Sequence, residues 1–187
     1  MTRRNFSWAA LLTLIVVGPA RATTLARMNL DELAAAADAV VHVQCLQNES
    51  RWEGSEIWTF TSFEVVETMN GAVPRFLSVR LLGGRVGHLI STVSGVPRFV
   101  PGEEAILFLE RTRAGDFSVT GWVVGTFRIH RDGRTGKQRV TQDSSSIAVF
   151  DAATRGFRAA GIRNLPLEEF RQRVAAAVER ARTGRQP

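Results

Sequence analysis

The chain is poor in the residues that most often announce a chemistry. Its 187 residues include one cysteine, Cys45, one lysine, Lys137, and no tyrosine. A lone cysteine excludes an internal disulfide and any site built on paired thiolates, and no cysteine stands near the end of the leading apolar segment to carry a lipid. The three histidines, His42, His88 and His130, are widely separated and lack the His-x-x-x-His spacing of a helical metal site. There is no Gly-x-Ser-x-Gly elbow, and Ser144-Ser145-Ser146 reads as a loop. Gly83-Gly84-Arg85-Val86-Gly87 shares only its glycine content with phosphate-cradling loops, so a flexible turn is expected there. Glu103 and Glu104 are adjacent in the chain and face opposite sides of a strand, which separates them as an acid/base pair. These absences leave no catalytic residue, metal ligand or cofactor to assign. Internal repeats, low-complexity tracts and long linkers are missing too.

What is present begins with an export signal. Thr2-Arg3-Arg4-Asn5-Phe6 forms a positive start, Trp8 to Val17 an apolar core, and Ala20-Arg21-Ala22 a small-x-small cleavage site, so cleavage is expected after Ala22. The apolar run is about ten residues where a membrane span needs roughly twenty, which argues against a permanent span. Thr2, Arg3, Arg4 and Phe6 occupy the positions of a twin-arginine signal, but an ordinary secretory signal with two adjacent arginines fits as well. The expected location is periplasmic or secreted. Cleavage would leave one domain, residues 23–187, and would remove Arg3, Arg4 and Arg21, lowering the net charge from +6 to +3. Such a mild excess is not the charge density of a nucleic-acid-binding domain.

Periodicity indicates a mainly β fold between two helices. Asn29 and Glu32 have the spacing of a capping box ahead of Leu30, Leu33, Ala34 and Ala37, predicting a short helix that ends near Asp38. Ala39 to Gln47 alternates as a half-buried strand, with Val41, Val43 and Cys45 inward and His42 outward. Cys45 is thus expected to be a buried, inert thiol. In Ile57–Thr68 the apolar phase changes between Trp58/Phe60 and Phe63/Val65, as at a bulge or in a coiled strand, and one of Trp58 and Phe60 is expected in the core. Leu77, Val79 and Leu81 mark another strand. Residues 83–102 are a loop or ragged hairpin, and Ala105–Leu109, apolar throughout, is a central strand. Further strands run through Phe117–Val119, Val123–Ile129 and from Val140, with a hairpin pairing 147–150 to 156–158. Leu167, Phe170, Val174, Val178 and Ala181 form the stripe of an amphipathic helix over 165–183 that docks on the sheet. The sum is an OB-like or other small antiparallel barrel or coiled sheet with terminal helices.

The order Ala37-Asp38-Ala39-Val40-Val41, Phe63 to Gly71, Val79-Arg80-Leu81 and Pro101 to Leu109 resembles a set of uncharacterised exported bacterial proteins. More distantly it is similar to the netrin or TIMP-type module, an OB-like barrel of secreted proteins. The resemblance covers about residues 37 to 130 and implies a fold more than an activity. TIMP-type inhibitors use an N-terminal cysteine, whereas the expected mature start here is Thr23-Thr24-Leu25, so that inhibitory residue is not carried over.

Two groups of residues suit recognition. Arg128, His130, Arg131, Arg134, Lys137 and Arg139 surround one hairpin with Asp132 as the only acid, either as an anion or membrane-surface contact or as a solvated tip protecting an edge. Trp52, Trp58 and Phe60 stand beside Arg51 and Arg98, with Trp52, placed in a loop, as the exposed anchor. The tentative ligand-binding residues are Arg131, Arg134, Lys137, Arg139, Trp52 and Arg85. They suggest an exported, non-enzymatic module that binds a protein or an anionic envelope polymer. An extracytoplasmic enzyme or enzyme accessory with a dispersed site is one alternative, and a protease-associated inhibitor or chaperone is another.

Overall fold

A computed structural model describes residues 26–151, 154–159 and 161–184; the expected export signal, its twin-arginine pattern and the expected cleavage point lie outside them. The first helix, α1 (Leu30–Ala36), starts at the expected capping box. The Asn29 side chain accepts the Glu32 N–H at 2.9 Å, and the Glu32 carboxylate accepts the Asn29 N–H at 2.7 Å.

Strands β1 (Ala39–Glu53) and β2 (Glu56–Asn70) form one long antiparallel hairpin around Gly54-Ser55. β1 therefore runs past the expected end at Gln47, and Trp52 sits on a strand rather than in a loop. Pairing jumps from Cys45↔Phe63 to Gln47↔Ser62, leaving Leu46 as the extra residue of a bulge. That bulge inverts the parity of β1. Val41, Val43 and Cys45 are buried before it, whereas Asn48 and Ser50 face the buried Thr61 and Thr59 beyond it. In the paired stretch of β2 the odd residues Ile57, Thr59, Thr61 and Phe63 are the buried ones. Trp58 and Phe60 thus both lie on the outer face, correcting the expectation that one was core. β2 bulges further on, where the register skips Val66 and Met69.

The remaining strands are β3 (Phe76–Leu82), β4 (Gly84–Val86), β5 (Leu89–Ser91), β6 (Glu104–Arg111), β7 (Phe117–Val119), β8 (Thr126–Arg131), β9 (Gln138–Gln142), β10 (Ala148–Asp151), β11 (Gly156–Ala159) and β12 (Leu165–Pro166). Short 3₁₀ turns at Trp122–Gly125 and Asp143–Ser146, and the closing helix α2 (Leu167–Thr183), complete the order. The main sheet runs β1-β2-β3-β7-β6-β8-β9-β12, and β1 pairs again with β6. β1, β2, β3, β7 and β6 thereby curl into a small barrel. Its closure is partial, because β3 and β7 meet through one parallel bridge, Val79↔Phe117, in an otherwise antiparallel set. β4 and β5 form a separate small hairpin, as do β10 and β11.

Two cores result. The barrel interior holds Val41, Val43, Phe63, Val79, Leu107 and Val119, while the opposite face of the sheet packs Val40, Ile106, Phe108 and Phe127 against α1 and α2. Phe170 of α2 is fully buried, 4.7 Å from the Phe127 ring. This second layer explains His42. Alternation assigned it outward, but its strand partner Ile106 belongs to the helix-side core, and His42 is only 3% exposed. β6 is apolar at every position from Ala105 to Leu109 because it is covered on both sides.

Candidate functional site

Beyond the Leu46 bulge, β1, β2 and β3 extend as an arm, and the β4–β5 hairpin lies against it. Two glycines make this approach possible. Gly83, at φ +88°, donates its N–H to the Ile57 carbonyl at 2.7 Å. Gly84, at φ +147°, leaves no room for a side chain: a Cβ there would stand 2.3 Å from Thr59 Oγ1 and 2.5 Å from Ser50 Oγ. Within the ragged hairpin expected over 83–102, Gly84–Val86 are therefore a strand seated on the arm, and the turn begins only at Gly87.

The cleft between arm and hairpin has a volume of about 350 Å³. Its floor carries Asn48, Ser50, Thr59 and Thr61, held to one another and to the backbone. Thr61 Oγ1 donates to Asn48 Oδ1 at 2.6 Å, Asn48 Nδ2 donates to the Phe99 carbonyl at 2.8 Å, Ser50 and Thr59 hydroxyls are 2.9 Å apart, and Thr59 Oγ1 donates to the Gly83 carbonyl at 2.7 Å. Arg85 and Arg98 are its only ionisable lining residues. Arg85 donates to the Gly87 carbonyl at 3.2 Å and Arg98 to the Ser91 carbonyl at 3.1 Å, and neither meets a carboxylate among the described residues. A hydroxyl-lined cleft with two uncompensated guanidinium groups favours an anion.

This cleft adjoins two others. Through Ile90 it continues into an apolar cleft of about 270 Å³ lined by Trp52, Leu82, Leu89 and Val93. Through Arg98 it continues into an open polar cleft of about 450 Å³ that reaches His130 at the base of the basic hairpin. The polar cleft is organised by Arg128. Its guanidinium binds Asp143 through Nε and Nη2 at 2.9 to 3.1 Å, Glu103 through Nη1 at 2.6 Å and the Arg98 carbonyl through Nη2 at 2.5 Å, and it covers the Phe99 ring at 4.4 Å.

The residues singled out in the sequence fare differently. Trp52 is 49% exposed and Arg85 is exposed, both on this trough. Arg131, Arg134 and Lys137 are exposed on the basic hairpin; Arg131 donates to the Gly136 carbonyl at 3.3 Å, while the side chains of Arg134 and Lys137 have no partner among the described residues. Arg139 is half-buried and engaged, with Nε donating to Asn164 Oδ1 at 2.5 Å and Nη2 to the Asn164 carbonyl at 2.5 Å. The hairpin tip is shaped by Asp132, which accepts the N–H groups of Thr135 and Arg134 at 2.8 and 2.9 Å; these bonds, Thr135's first, hold its carboxyl below the usual range. Trp58 and Phe60 are not free for ligand: Arg80 lies 4.3 Å over Trp58 and Arg51 3.8 Å over Phe60, and Glu53 pairs with both arginines.

Sequence reasoning missed the hydroxyl floor, the pairing of Arg85 with Arg98, and the role of Arg128 as an internal brace. It also missed His42 Nε2, which lies 2.9 Å from Glu104 Oε2; this pair sits on the helix side of the sheet, and neither residue lines the three clefts of the trough. Cys45 is buried in the barrel, where burial and then the nearby charge of Glu103 push its thiol pKa up. Comparison with protein-family models and with curated proteins finds no match for this chain.

Proposed function

We propose that this chain is an exported, non-enzymatic binding module that holds an anionic segment of an envelope ligand in the trough beneath the β4–β5 hairpin. One observation carries the reading: Arg85 and Arg98 share a hydroxyl-lined cleft in which no acid offsets them. In the adjoining polar cleft, by contrast, the guanidinium of Arg128 is held by two carboxylates, Glu103 and Asp143. The hydroxyls suit a polyhydroxylated, acid-bearing chain such as an acidic polysaccharide, and the trough's continuation toward His130 leads an extended ligand to Arg131, Arg134 and Lys137.

The enzyme alternative would rest on His42 and Glu104, which have the contact of an acid/base pair but no place on this trough. The inhibitor alternative lacks its cysteine. Retention on immobilised alginate, a polymer of uronic acids, tests the anion reading. Each exposed charge-assisted contact is worth about 1 kcal/mol, so Arg85→Ser with Arg98→Ser should weaken binding roughly 30-fold. Arg131→Ser, Arg134→Ser and Lys137→Ser together should lower the salt needed for elution without affecting folding. Unchanged retention of the Arg85/Arg98 variant would discard the cleft as the site.

A further inference from the structure

The apolar end of the trough adds a second kind of contact. Trp52, Leu89 and Ile90 are 49%, 47% and 66% exposed, and all three border the same cleft. They stand beside two hairpin turns, Gly54-Ser55 of the β1–β2 arm and Gly87-His88 of β4–β5. Both turns project into open space, since a Cβ added at Gly54 or Gly87 would have no atom within 4 Å. Large apolar side chains at projecting tips are poorly placed to be covered by their own chain, and a tryptophan with two aliphatic residues suits the boundary between lipid headgroups and acyl chains.

The surrounding charges match an anionic surface. Arg85 and Arg98 line the adjoining cleft without carboxylate partners, Arg98 against Ser91 at the base of β4–β5, and Ile90 lines their cleft and the apolar one alike. Two acids stand at the arm's end. Glu53 is matched by Arg51 at 3.2 Å and Arg80 at 2.6 Å, which leaves Glu56 as the one carboxylate lining the apolar cleft. A hydroxyl-lined cation pair directly beside an apolar tip has the polarity sequence of a phospholipid, phosphate first and acyl chain next.

We infer that the paired hairpin tips dock on an anionic phospholipid surface, with Trp52, Leu89 and Ile90 entering the headgroup layer and Arg85 and Arg98 taking a lipid phosphate. The inference rests on the anion-binding reading of that cleft and names its source as lipid. The contact is peripheral; among the described residues no helix is long and apolar enough to cross a membrane.

Vesicle flotation tests it, using vesicles of phosphatidylcholine alone and of phosphatidylcholine with phosphatidylglycerol at about 7:3, and comparing variants in the same chain form. The parent should float with the anionic vesicles and only weakly with the neutral ones. Its tryptophan emission should shift to the blue on binding, and Trp52→Phe should abolish that shift. Leu89→Ser, at a residue that lines the apolar cleft and not the anion cleft, should lower partitioning about tenfold while leaving alginate retention intact. Glu56→Gln should raise partitioning severalfold. Equal flotation with both vesicle types, or undiminished flotation of the Leu89→Ser variant, overturns the lipid inference. Retention on alginate without flotation overturns it too and leaves the anion-binding module standing, whereas loss of both removes the two together.

Discussion

Replacing Arg128 with methionine tests how the trough is held open. The guanidinium is 14% exposed and touches four groups: Asp143 in a two-point contact, Glu103, the Arg98 carbonyl and the Phe99 ring. Methionine keeps much of the packing on Phe99 and removes every polar contact. Asp143, 18% exposed, then loses its counter-charge in a poorly solvated position, at a cost of about 2 to 3 kcal/mol. Glu103, 40% exposed, is relieved by water, so its share is about 1 kcal/mol or less. The sum of about 3 kcal/mol, with a urea slope near 2 kcal/mol/M, lowers the unfolding midpoint by about 1.5 M. Adding Asp143→Asn should recover at least half of the loss, because the amide needs no cation. The Arg128→Met variant should also bind alginate more weakly although Arg85 and Arg98 remain, since the backbone that carries Arg98 loses its tether. Equilibrium unfolding followed by tryptophan fluorescence measures the stability part. A midpoint shift below about 0.5 M, or no recovery in the double variant, would refute the bracing role.

Other consequences are more local. Gly84→Ala must displace Thr59 and Ser50 at an unfavourable φ, so it should destabilise by about 1 to 3 kcal/mol and weaken alginate retention, whereas Gly133→Ala, with nothing within 4 Å, should change stability by less than about 0.5 kcal/mol in a thermal melt. Cys45 should resist iodoacetamide at pH 8 in the native protein and react once urea exposes it; native labelling at the rate of a free thiol would contradict its burial. Asp132 has a folded pKa below its unfolded one, so the order it lends the hairpin tip is present above the ordinary carboxylate pKa and is lost as pH falls through the depressed value. The Thr135 amide resonance should report that step, and an inflexion at or above the ordinary carboxylate value would be the wrong sign.

Much of the fold was legible because its signals are local. The Asn29/Glu32 capping box, the alternation of Leu77, Val79 and Leu81, the unbroken apolar run of β6 and the stripe from Leu167 to Val178 are each set by a period that one element imposes on its own residues. The misplacements arise where something beyond one element's own period intervenes. A one-residue bulge at Leu46 leaves no compositional trace, yet it inverts every later side chain of β1 and draws Trp52 onto a strand. His42 alternates like a surface residue, and only the helices packed on that face make it a buried one.

The candidate site was less legible than the fold. Arg128 and Arg131 occur in one basic run, but strand pairing turns Arg128 inward to Glu103 and Asp143 and leaves Arg131 in solvent. Arg85 and Arg98 are thirteen positions apart, one on the β4–β5 hairpin and one beyond it, and nothing in that spacing says that their side chains share a cleft. By itself the sequence determined the class of fold, its terminal helices and an expectation of export, because propensity, periodicity and the pattern of an export signal are read over a few neighbouring residues. Only the tertiary structure decided which charges are neutralised and which are left to meet a ligand, because charge compensation depends on distance in space across strands far apart in the chain.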